Sequence, residues 1–330
     1  MEAENRAIKK QVGLVSDNSI DKRLKDISSN IETVEEWKEY IKKYYEPFCA
    51  ILAKLETTSG TPKQENSEKP IAIITGGQPG AGKSALLPMY KMFLKQFYNI
   101  DAVVNNADFY RFCVPGSYRV SIDFPESASE ITDPVVKQMR KNLMEESIKE
   151  KQSIIIENTL GDTIAVDTME SGNVHDVWIA LMAVPREESL LSDFERYIKM
   201  KESTDVARLV SIEAHDKRYY ALDRIAKELE NKGMRILVHS RGKTENDFPN
   251  LEYDSMNPSS GKKYGSVVEA MTKIRDKHYR QNVSSYEERM KNIREKMENF
   301  GMTKEENEEL EKLEKIIGKS INREKDEEEK

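Results

Sequence analysis

One short motif constrains this chain of 330 residues more than any other feature. It is a glycine-rich loop with the spacing G-x-x-x-x-G-K-S, made by Gly77, Gln78, Pro79, Gly80, Ala81, Gly82, Lys83 and Ser84. A β-branched run at 71–75 precedes the loop, and a stretch with helical character at 85–94 follows it. A strand, a loop and a helix in this order are the context in which such a motif binds phosphate.

Each part of this loop has a physical task in phosphate binding. Its glycines let the backbone turn and direct N–H groups at phosphate oxygens. The N-terminus of the following helix adds partial positive charge. Lys83 would reach the β- and γ-phosphates and Ser84 the Mg²⁺ ion, so the motif predicts binding of a nucleoside triphosphate with Mg²⁺.

Composition narrows the class of protein. A net charge of −7 argues against the broad basic surface that nucleic-acid binding needs. The two cysteines, Cys49 and Cys113, are too few for a disulfide framework. No apolar run approaches the ~18 residues of a membrane helix, and the N-terminal residues lack the order of a signal peptide. We therefore expect a cytoplasmic protein without a membrane partner.

Alternating strands and helices predict an α/β protein with the P-loop NTPase fold, whose mainly parallel sheet has about five or six strands flanked by helices. We expect a helical region and linker at 1–69, a P-loop core at 70–265, and a helical extension at 266–330 that ends in a disordered charged tail. Strands are predicted near 71–75, 101–105, 153–157, 177–184 and 235–240, and core helices near 83–97, 132–150, 187–201 and 206–231. The stretch 242–265 is interpreted as an irregular insertion, and Thr33 with Glu36 as a helix capping box.

Two acidic residues follow predicted strands and are candidates for catalysis. Glu157 ends an apolar strand, where an acid can help to hold Mg²⁺ beside the loop, although it could instead cap the next turn. Asp108 lies past the second strand, where a kinase places the carboxylate that accepts the proton of the substrate hydroxyl. An Asp at a helix start is also a common structural feature, and spacing leaves both interpretations of Asp108 open.

Two arginines, Arg196 and Arg208, flank a polar stretch after the fourth strand and could close over a triphosphate. An arginine stabilises the charge of a transferred phosphoryl group well, but an arbitrary arginine usually lies on a solvated helix face. The histidines have no metal-ligand spacing with one another or with cysteine, so we interpret them, including His215, as structural or surface residues.

From about Ile71 to Arg241 the chain resembles the zeta toxins, the P-loop kinases of epsilon/zeta toxin–antitoxin systems. Besides the loop, the resemblance rests on segments that occur in the family's order: Asn106–Phe109, Ile156–Thr159, Met182–Pro185, Glu195–Tyr197, Ala207–Arg208 and Ala214–Asp216. It implies ATP- and Mg²⁺-dependent phosphorylation of the 3′-hydroxyl of UDP-N-acetylglucosamine, a nucleotide sugar.

The resemblance also implies roles for individual residues. Lys83 would bind phosphate, Ser84 would support Mg²⁺ together with Glu157, and Asp108 would be the base. Asp108, Glu157 and Thr159 would contact the substrate, and Arg196 and Arg208 would stabilise the transferred phosphoryl group.

Departures from the family pattern leave alternatives open. Asn158 stands where the family has glycine, and Lys141 lies about where the family has a substrate-contacting Glu. Another small-molecule kinase, or a slowly hydrolysing NTP-driven switch, would share the same loop; a polynucleotide kinase is opposed by the net acidity. An antitoxin helix usually blocks the ATP site in this family, and residues 17–58 are a candidate for doing so within the chain, unless they simply pack on the core or bind a partner.

Overall fold

The computed structural model describes residues 31–58, 69–114, 116–124, 127–203, 207, 209–242, 244 and 247–328. The strands are β1 Ile71–Gly76, β2 Val103–Asn105, β3 Ile154–Ile156, β4 Asp176–Met182, β5 Arg235–Ser240 and β6 Asn250–Asp254. The helices of the first half are α1 Val34–Thr58, α2 Leu86–Tyr98, α3 Ala107–Cys113, α4 Ser117–Asp123, α5 Ala128–Lys149 and α6 Ile164–Glu170. The second half holds α7 Arg186–Ser203, α8 Ile212–Asn231, α9 Pro258–Tyr264, α10 Val267–Asn282, α11 Tyr286–Phe300 and α12 Lys304–Glu328.

Within these described ranges, six strands form one sheet in the order β2-β3-β1-β4-β5-β6. The first five are parallel, and β6 pairs antiparallel with β5 at the edge. β1 lies between β3 and β4, so the loop that follows β1 emerges from the middle of the sheet. Because ligands bind at the carboxyl ends of parallel strands, the loops after β1, β2, β3 and β4 are the expected site. The mainly parallel sheet with flanking helices confirms the predicted α/β class.

The alternation of side chains along β1 divides the apolar core between two faces of the sheet. Ala72 and Ile74 join a large cluster that includes α1, α5, α8 and α10. Ile71 and Ile73 face the other way, into a smaller cluster under α2. Successive residues of a strand point to opposite faces, and a sheet covered on both sides needs apolar residues at every position. The buried apolar residues Ile71 to Ile74 of β1 meet this requirement.

The boundaries of three elements differ from the prediction. The helix expected from residue 206 begins at Ile212, because the hydroxyl of Ser211 caps it by accepting from the Ala214 N–H at 3.2 Å. The stretch 242–265 is not wholly irregular, since it contains β6 and α9. Helix α12 continues to Glu328 across the stretch expected to be disordered; its earlier turns are anchored by the buried residues Leu310, Leu313 and Ile317.

The N-terminal helix α1 is part of the main core. Its capping box is confirmed, with the Glu36 N–H donating to the Thr33 hydroxyl at 3.3 Å and the Thr33 N–H donating to the Glu36 carboxylate at 3.0 Å. Trp37 and Ile41 are completely buried, and α1 lies along α5. Gly116 fits against the Trp37 ring so closely that an added Cβ would stand 2.8 Å from it.

The C-terminal helices build a third apolar cluster on α7. Leu190, Leu191 and Phe194 of α7 pack there with the buried face of α11 and with Leu310 and Leu313 of α12. Among the described helices, none is both long and apolar enough to cross a membrane. The three-region division of the chain stays a prediction, because both extensions share apolar clusters with the core.

The burial of Trp37 gives a direct test of whether α1 belongs to the cooperative fold. We expect Trp37→Ala to lower the free energy of unfolding by about 3–5 kcal/mol, because it removes a fully buried aromatic side chain and leaves a cavity. Ile51→Ala on the same helix is the control, since Ile51 is 52% exposed. Urea unfolding measures both changes; equal, small losses would show that α1 is only loosely attached.

Candidate active site

The phosphate-binding loop follows β1 and closes on the first turn of the next helix. Its three glycines, Gly77, Gly80 and Gly82, have φ values of 148°, 70° and 87° that side-chain-bearing residues rarely adopt. Gly80 is required for a second reason, because a Cβ there would lie 1.9 Å from the Ser189 carbonyl oxygen. The loop is therefore pressed against the first turn of α7.

A chain of buried hydrogen bonds holds the loop from behind. The side-chain amide of Gln78 donates to the Val184 carbonyl and to the Ser189 hydroxyl, both at 3.0 Å. The Ser189 hydroxyl lies 2.9 Å from Nε2 of His215, whose Nδ1 is 3.1 Å from the Asp216 carboxylate. His215 is thus structural, as predicted, but lies in the interior rather than at the surface. The adjacent residues His215 and Asp216 are the sequence signal that could have indicated this hydrogen-bond network.

Lys83 lies half-buried inside the loop. Its ammonium donates to the Gln78 carbonyl at 2.9 Å. Burial lowers the pKa of Lys83 to about 8, an effect that Glu157 opposes and Arg196 reinforces. The charges that act on Lys83 show that the loop, the end of β3 and α7 all meet here. Ser84 lies in the short 3₁₀ turn Lys83–Ala85 just before α2 and is exposed.

Glu157 follows β3 and is the central acidic group of the site. Burial raises the pKa of its carboxyl, Lys83 lowers it, Asp108 raises it and Arg140 lowers it. Its backbone N–H donates to the Asn105 carbonyl at 2.9 Å, and Arg140 of α5 donates to the Glu157 carbonyl. Arg140 also donates to the Asn105 side chain at 2.8 Å. Arg140 was missed by sequence reasoning, because no motif distinguishes it from the other cations of α5.

Asp108 lies in the first turn of α3, just past β2. The side chain of Asn106 caps this helix by accepting from the Phe109 N–H at 3.0 Å. The Asp108 carboxylate is exposed and accepts from Arg111 at 2.8 Å. Since Asn106 supplies the cap, Asp108 is left facing solvent at the same sheet edge as Glu157. That position suits contact with a ligand.

Asn158 and Thr159 continue the loop after β3. The Thr159 carbonyl accepts from the Gly77 N–H at 3.4 Å, which ties this loop to the phosphate loop. The Asn158 side chain accepts from the Leu160 N–H at 2.7 Å. Asn158 thus makes a local turn contact that the glycine expected at this position could not make.

Of the two predicted arginines, the structure describes one. Arg196 of α7 is half-exposed and pairs with the buried carboxylate of Asp193. It lies close enough to affect the pKa values of both Lys83 and Glu157. Arg208 lies outside the described residues. Arg241, which no sequence pattern singled out, follows β5 and donates to the carbonyls of Gly80 and Ala81.

The donor set fits a magnesium ion that is held mainly by phosphates and water. Glu157 offers a carboxylate and Ser84 a hydroxyl, both hard oxygen ligands. Across the described part of the chain, no group of three or more His, Cys, Asp or Glu residues could enclose a metal ion on its own. Mg²⁺ in nucleotide sites commonly uses only one or two protein ligands, so this set is sufficient.

The site combines a G-x-x-x-x-G-K-S loop at the end of β1 with a lysine inside that loop and with carboxylates after β2 and β3. On a mainly parallel sheet, this combination defines a P-loop kinase-like α/β protein. The zeta toxin family model matches residues 55–252, which is more than half of the chain. This chain therefore belongs to the zeta toxin family.

Individual relatives are more distant. The toxin PezT of Streptococcus pneumoniae serotype 4 (strain ATCC BAA-334 / TIGR4) is 27% identical over 158 residues, which span 46% of this chain and 60% of PezT. A solved structure from the PezAT chromosomal toxin–antitoxin system of S. pneumoniae matches with a TM-score of 0.58 at 20% identity, over 77% of this chain and 99% of that one. A crystal structure of AvrRxo1-ORF1 and -ORF2 with ATP gives a TM-score of only 0.42 at 13% identity, over 66% of each chain.

Acid should destabilise the protein through its buried histidines. Burial lowers the pKa of His215 and of His239 to about 4, against 6.5 for the exposed group. The unfolded chain therefore binds more protons between these values, so the free energy of unfolding falls as the pH drops from 6.5 towards 4. Each histidine contributes up to about 3 kcal/mol to this loss.

The variant His215→Gln isolates one of these contributions. We expect its free energy of unfolding to depend less steeply on pH between 6.5 and 4.5 than that of the unmodified protein. Urea unfolding at several pH values measures the two slopes. Identical slopes would contradict a neutral, buried His215.

Proposed function

We propose that this protein is an ATP-dependent kinase that phosphorylates a hydroxyl group of a nucleotide sugar. The observation that carries the proposal is the meeting of Lys83, Glu157, Asp108 and Arg196 at the carboxyl edge of the sheet, around the phosphate loop. Family membership supports the kinase chemistry. Transfer of a phosphoryl group needs little covalent participation from the protein, so positioned charges of this kind are sufficient.

Each of these side chains has a role in the proposed reaction. The loop N–H groups and Lys83 hold the triphosphate, and a bound Mg²⁺, supported by Ser84 and Glu157, would neutralise charge on its phosphates. Asp108 accepts the proton of the attacking hydroxyl. Arg196, with Arg208 as its predicted partner, stabilises the charge on the transferred phosphoryl group, which is greatest in the transition state.

We propose UDP-N-acetylglucosamine, through its 3′-hydroxyl, as the acceptor, with Glu157 and Thr159 among its contacts. The resemblance to the zeta toxins supports this choice. One observation favours a second candidate, another small-molecule acceptor. Lys141, where the family has an acidic residue, is exposed and pairs only loosely with Glu145 at 3.7 Å.

We also propose an antitoxin as a partner, since the similar PezT structure comes from a toxin–antitoxin system. Inhibition by residues 17–58 of the same chain stays a prediction; residues 17–30 lie outside the described part. The burial of Trp37 along α5 favours a structural role for α1. A truncated protein that begins at residue 69 would therefore also lose part of the core. Deletion of residues 1–30 alone tests inhibition more cleanly: an unchanged rate would oppose an inhibitory role for those residues.

A first experiment tests the reaction and the acceptor together. Purified protein with ATP, Mg²⁺ and UDP-N-acetylglucosamine should yield a product heavier by one phosphoryl group in mass spectrometry. Lys83→Ala should abolish this product, because the loop loses its only lysine. ATP binding without a product, both in the full chain and after deletion of residues 1–30, would refute this acceptor and direct the search to other hydroxyl compounds.

A conservative substitution tests the catalytic role of Asp108 without disturbing the fold. We expect Asp108→Asn to lower kcat by about 10²–10⁴-fold while ATP affinity changes little, the range expected for loss of a general base. Asp101→Asn is the matched control, because Asp101 lies before β2, at the opposite end of the same strand, and pairs with Lys95. Wild-type turnover by Asp108→Asn would overturn the assignment.

The lowered pKa of Lys83 predicts how ATP binding depends on pH. The charged amine binds phosphate, and its pKa of about 8 in the free protein means that binding above pH 8 requires uptake of a proton. ATP affinity should fall by up to about tenfold per pH unit above 8. Calorimetry at pH 7 and 9.5 measures this, with Lys83→Arg, which stays charged, as the control. A flat profile for the unmodified protein would contradict the prediction.

A further inference from the structure

Helix α11 lies outside the family match, which ends at residue 252. It is nevertheless connected to α7 and to the phosphate loop by ion pairs and hydrogen bonds. Arg289 of α11 forms two parallel hydrogen bonds to the Glu195 carboxylate of α7, each 2.7 Å long. It also donates to Glu188 at 2.9 Å and to the Ser192 hydroxyl at 3.1 Å. One guanidinium therefore contacts three positions along a single face of α7.

The same Glu188 oxygen that accepts from Arg289 also accepts from Arg241 at 2.9 Å. Arg241 in turn donates to the carbonyls of Gly80 and Ala81 in the phosphate loop. A continuous series of contacts thus runs from α11 through Glu188 and Arg241 to the loop. We call this series, Arg289–Glu188–Arg241, the arginine bridge.

The bridge is shielded from solvent, which makes its members interdependent. The side chain of Glu188 is 8% exposed, and those of Arg241 and Arg289 are 20% and 21% exposed. Two like charges share this one carboxylate, and Glu195 balances the second of them. Removing one member of such a buried set leaves the others with uncompensated charge, so its effect extends to its neighbours.

The position of α7 matters for catalysis because this helix carries Arg196 next to Glu195. The first turn of α7 also contacts Gly80, at the Ser189 carbonyl. Arg289 therefore holds two parts of the proposed site in position. One is α7, which carries Arg196, and the other, through Glu188 and Arg241, is the phosphate loop.

We propose that Arg289 is a positioning residue for phosphoryl transfer, and that the C-terminal helix α11 is a working part of the ATP site rather than an appendage. The inference rests on the proposed kinase function. It predicts that loss of the Arg289 guanidinium misplaces both Arg196 and the phosphate loop, although the side-chain partners of Arg289 are Glu188, Ser192 and Glu195 of α7.

The test compares Arg289→Met with Arg294→Met. Arg294 lies on the same helix, but its partners Glu298 and Glu314 are in the C-terminal helices, away from α7. We expect Arg289→Met to lower kcat/KM for ATP by about 10–100-fold, since a misplacement of about 1 Å can have an effect of this size. Arg294→Met should lower the melting temperature while kcat/KM stays within about threefold of the unmodified value.

Two further variants keep the proposal falsifiable. Arg289→Lys keeps the charge but not the paired hydrogen bonds, so it should restore part of the rate. If Arg289→Met does not fold, Glu195→Gln weakens the same contact and should lower the rate in the same direction. The proposal would be overturned if Arg289→Met and Arg294→Met had the same melting temperature and both kept the kcat/KM of the unmodified protein.

The bridge itself is tested by combining Arg289→Met with Arg241→Met. Coupled residues show non-additive effects, so the double variant should lose less than the product of the two single fold-losses. Purely multiplicative losses would show that Arg289 acts only on α7 and would refute the link to the loop. The unmodified protein separates this inference from the proposed function: if it forms no phosphorylated product from ATP, the kinase function fails, whereas phosphoryl transfer with a kcat/KM that is indifferent to Arg289 refutes the positioning role alone.

Discussion

The close packing of the phosphate loop against α7 is the contact on which the rest of the site depends. It requires a residue without a Cβ at Gly80, because the Ser189 carbonyl oxygen occupies the space where that atom would be. It also allows Gln78 to bond across the interface to Ser189. Because the loop is bound to a helix as well as to its own strand, its shape is established before any ligand arrives, as a preorganised electrostatic site requires.

The charges around this contact are balanced in pairs. Lys83 lowers the pKa of Glu157, which burial raises. Arg196 pairs with Asp193, and Arg140 donates a hydrogen bond to the Glu157 carbonyl. A triphosphate and its metal ion would add strong charges of both signs. Arg196 is half-exposed and Asp108 is exposed, so these two side chains are open to solvent, whereas the carboxylate of Asp193 is buried.

Much of this arrangement could be predicted from the sequence, and the reasons are local. The loop motif is contiguous, the strand before it is apolar from Ile71 to Ile74, and Thr33 with Glu36 forms a capping box that depends on four neighbouring residues. Such signals need no knowledge of tertiary contacts. The order of motifs along the chain also sufficed to predict the family, and Asp108, Glu157 and Lys83 do meet at one sheet edge.

What could not be predicted depends on contacts between residues far apart in the sequence. Arg140, Arg241 and Arg289 are ordinary charged residues until the fold brings Arg140 to the end of β3, Arg241 to the phosphate loop and Arg289 to α7. Strand β6 was hidden in a stretch rich in turn-forming residues, because its pairing with β5 comes from the tertiary structure. The charged end of α12 is polar enough to suggest disorder, yet it continues a helix that is anchored on α7 by earlier apolar turns.

The cluster that α11 and α12 form on α7 has a consequence for the order in which the protein is made. Chains emerge from the ribosome N-terminus first, and domains fold as their parts become available. The sheet and the phosphate loop are complete once about residue 254 has emerged, but Leu190, Leu191 and Phe194 stay uncovered until α11 and α12 follow. For a member of a toxin family, this places the covering of α7 after the synthesis of the sheet and the phosphate loop, so that a chain interrupted before α11 carries an uncovered α7.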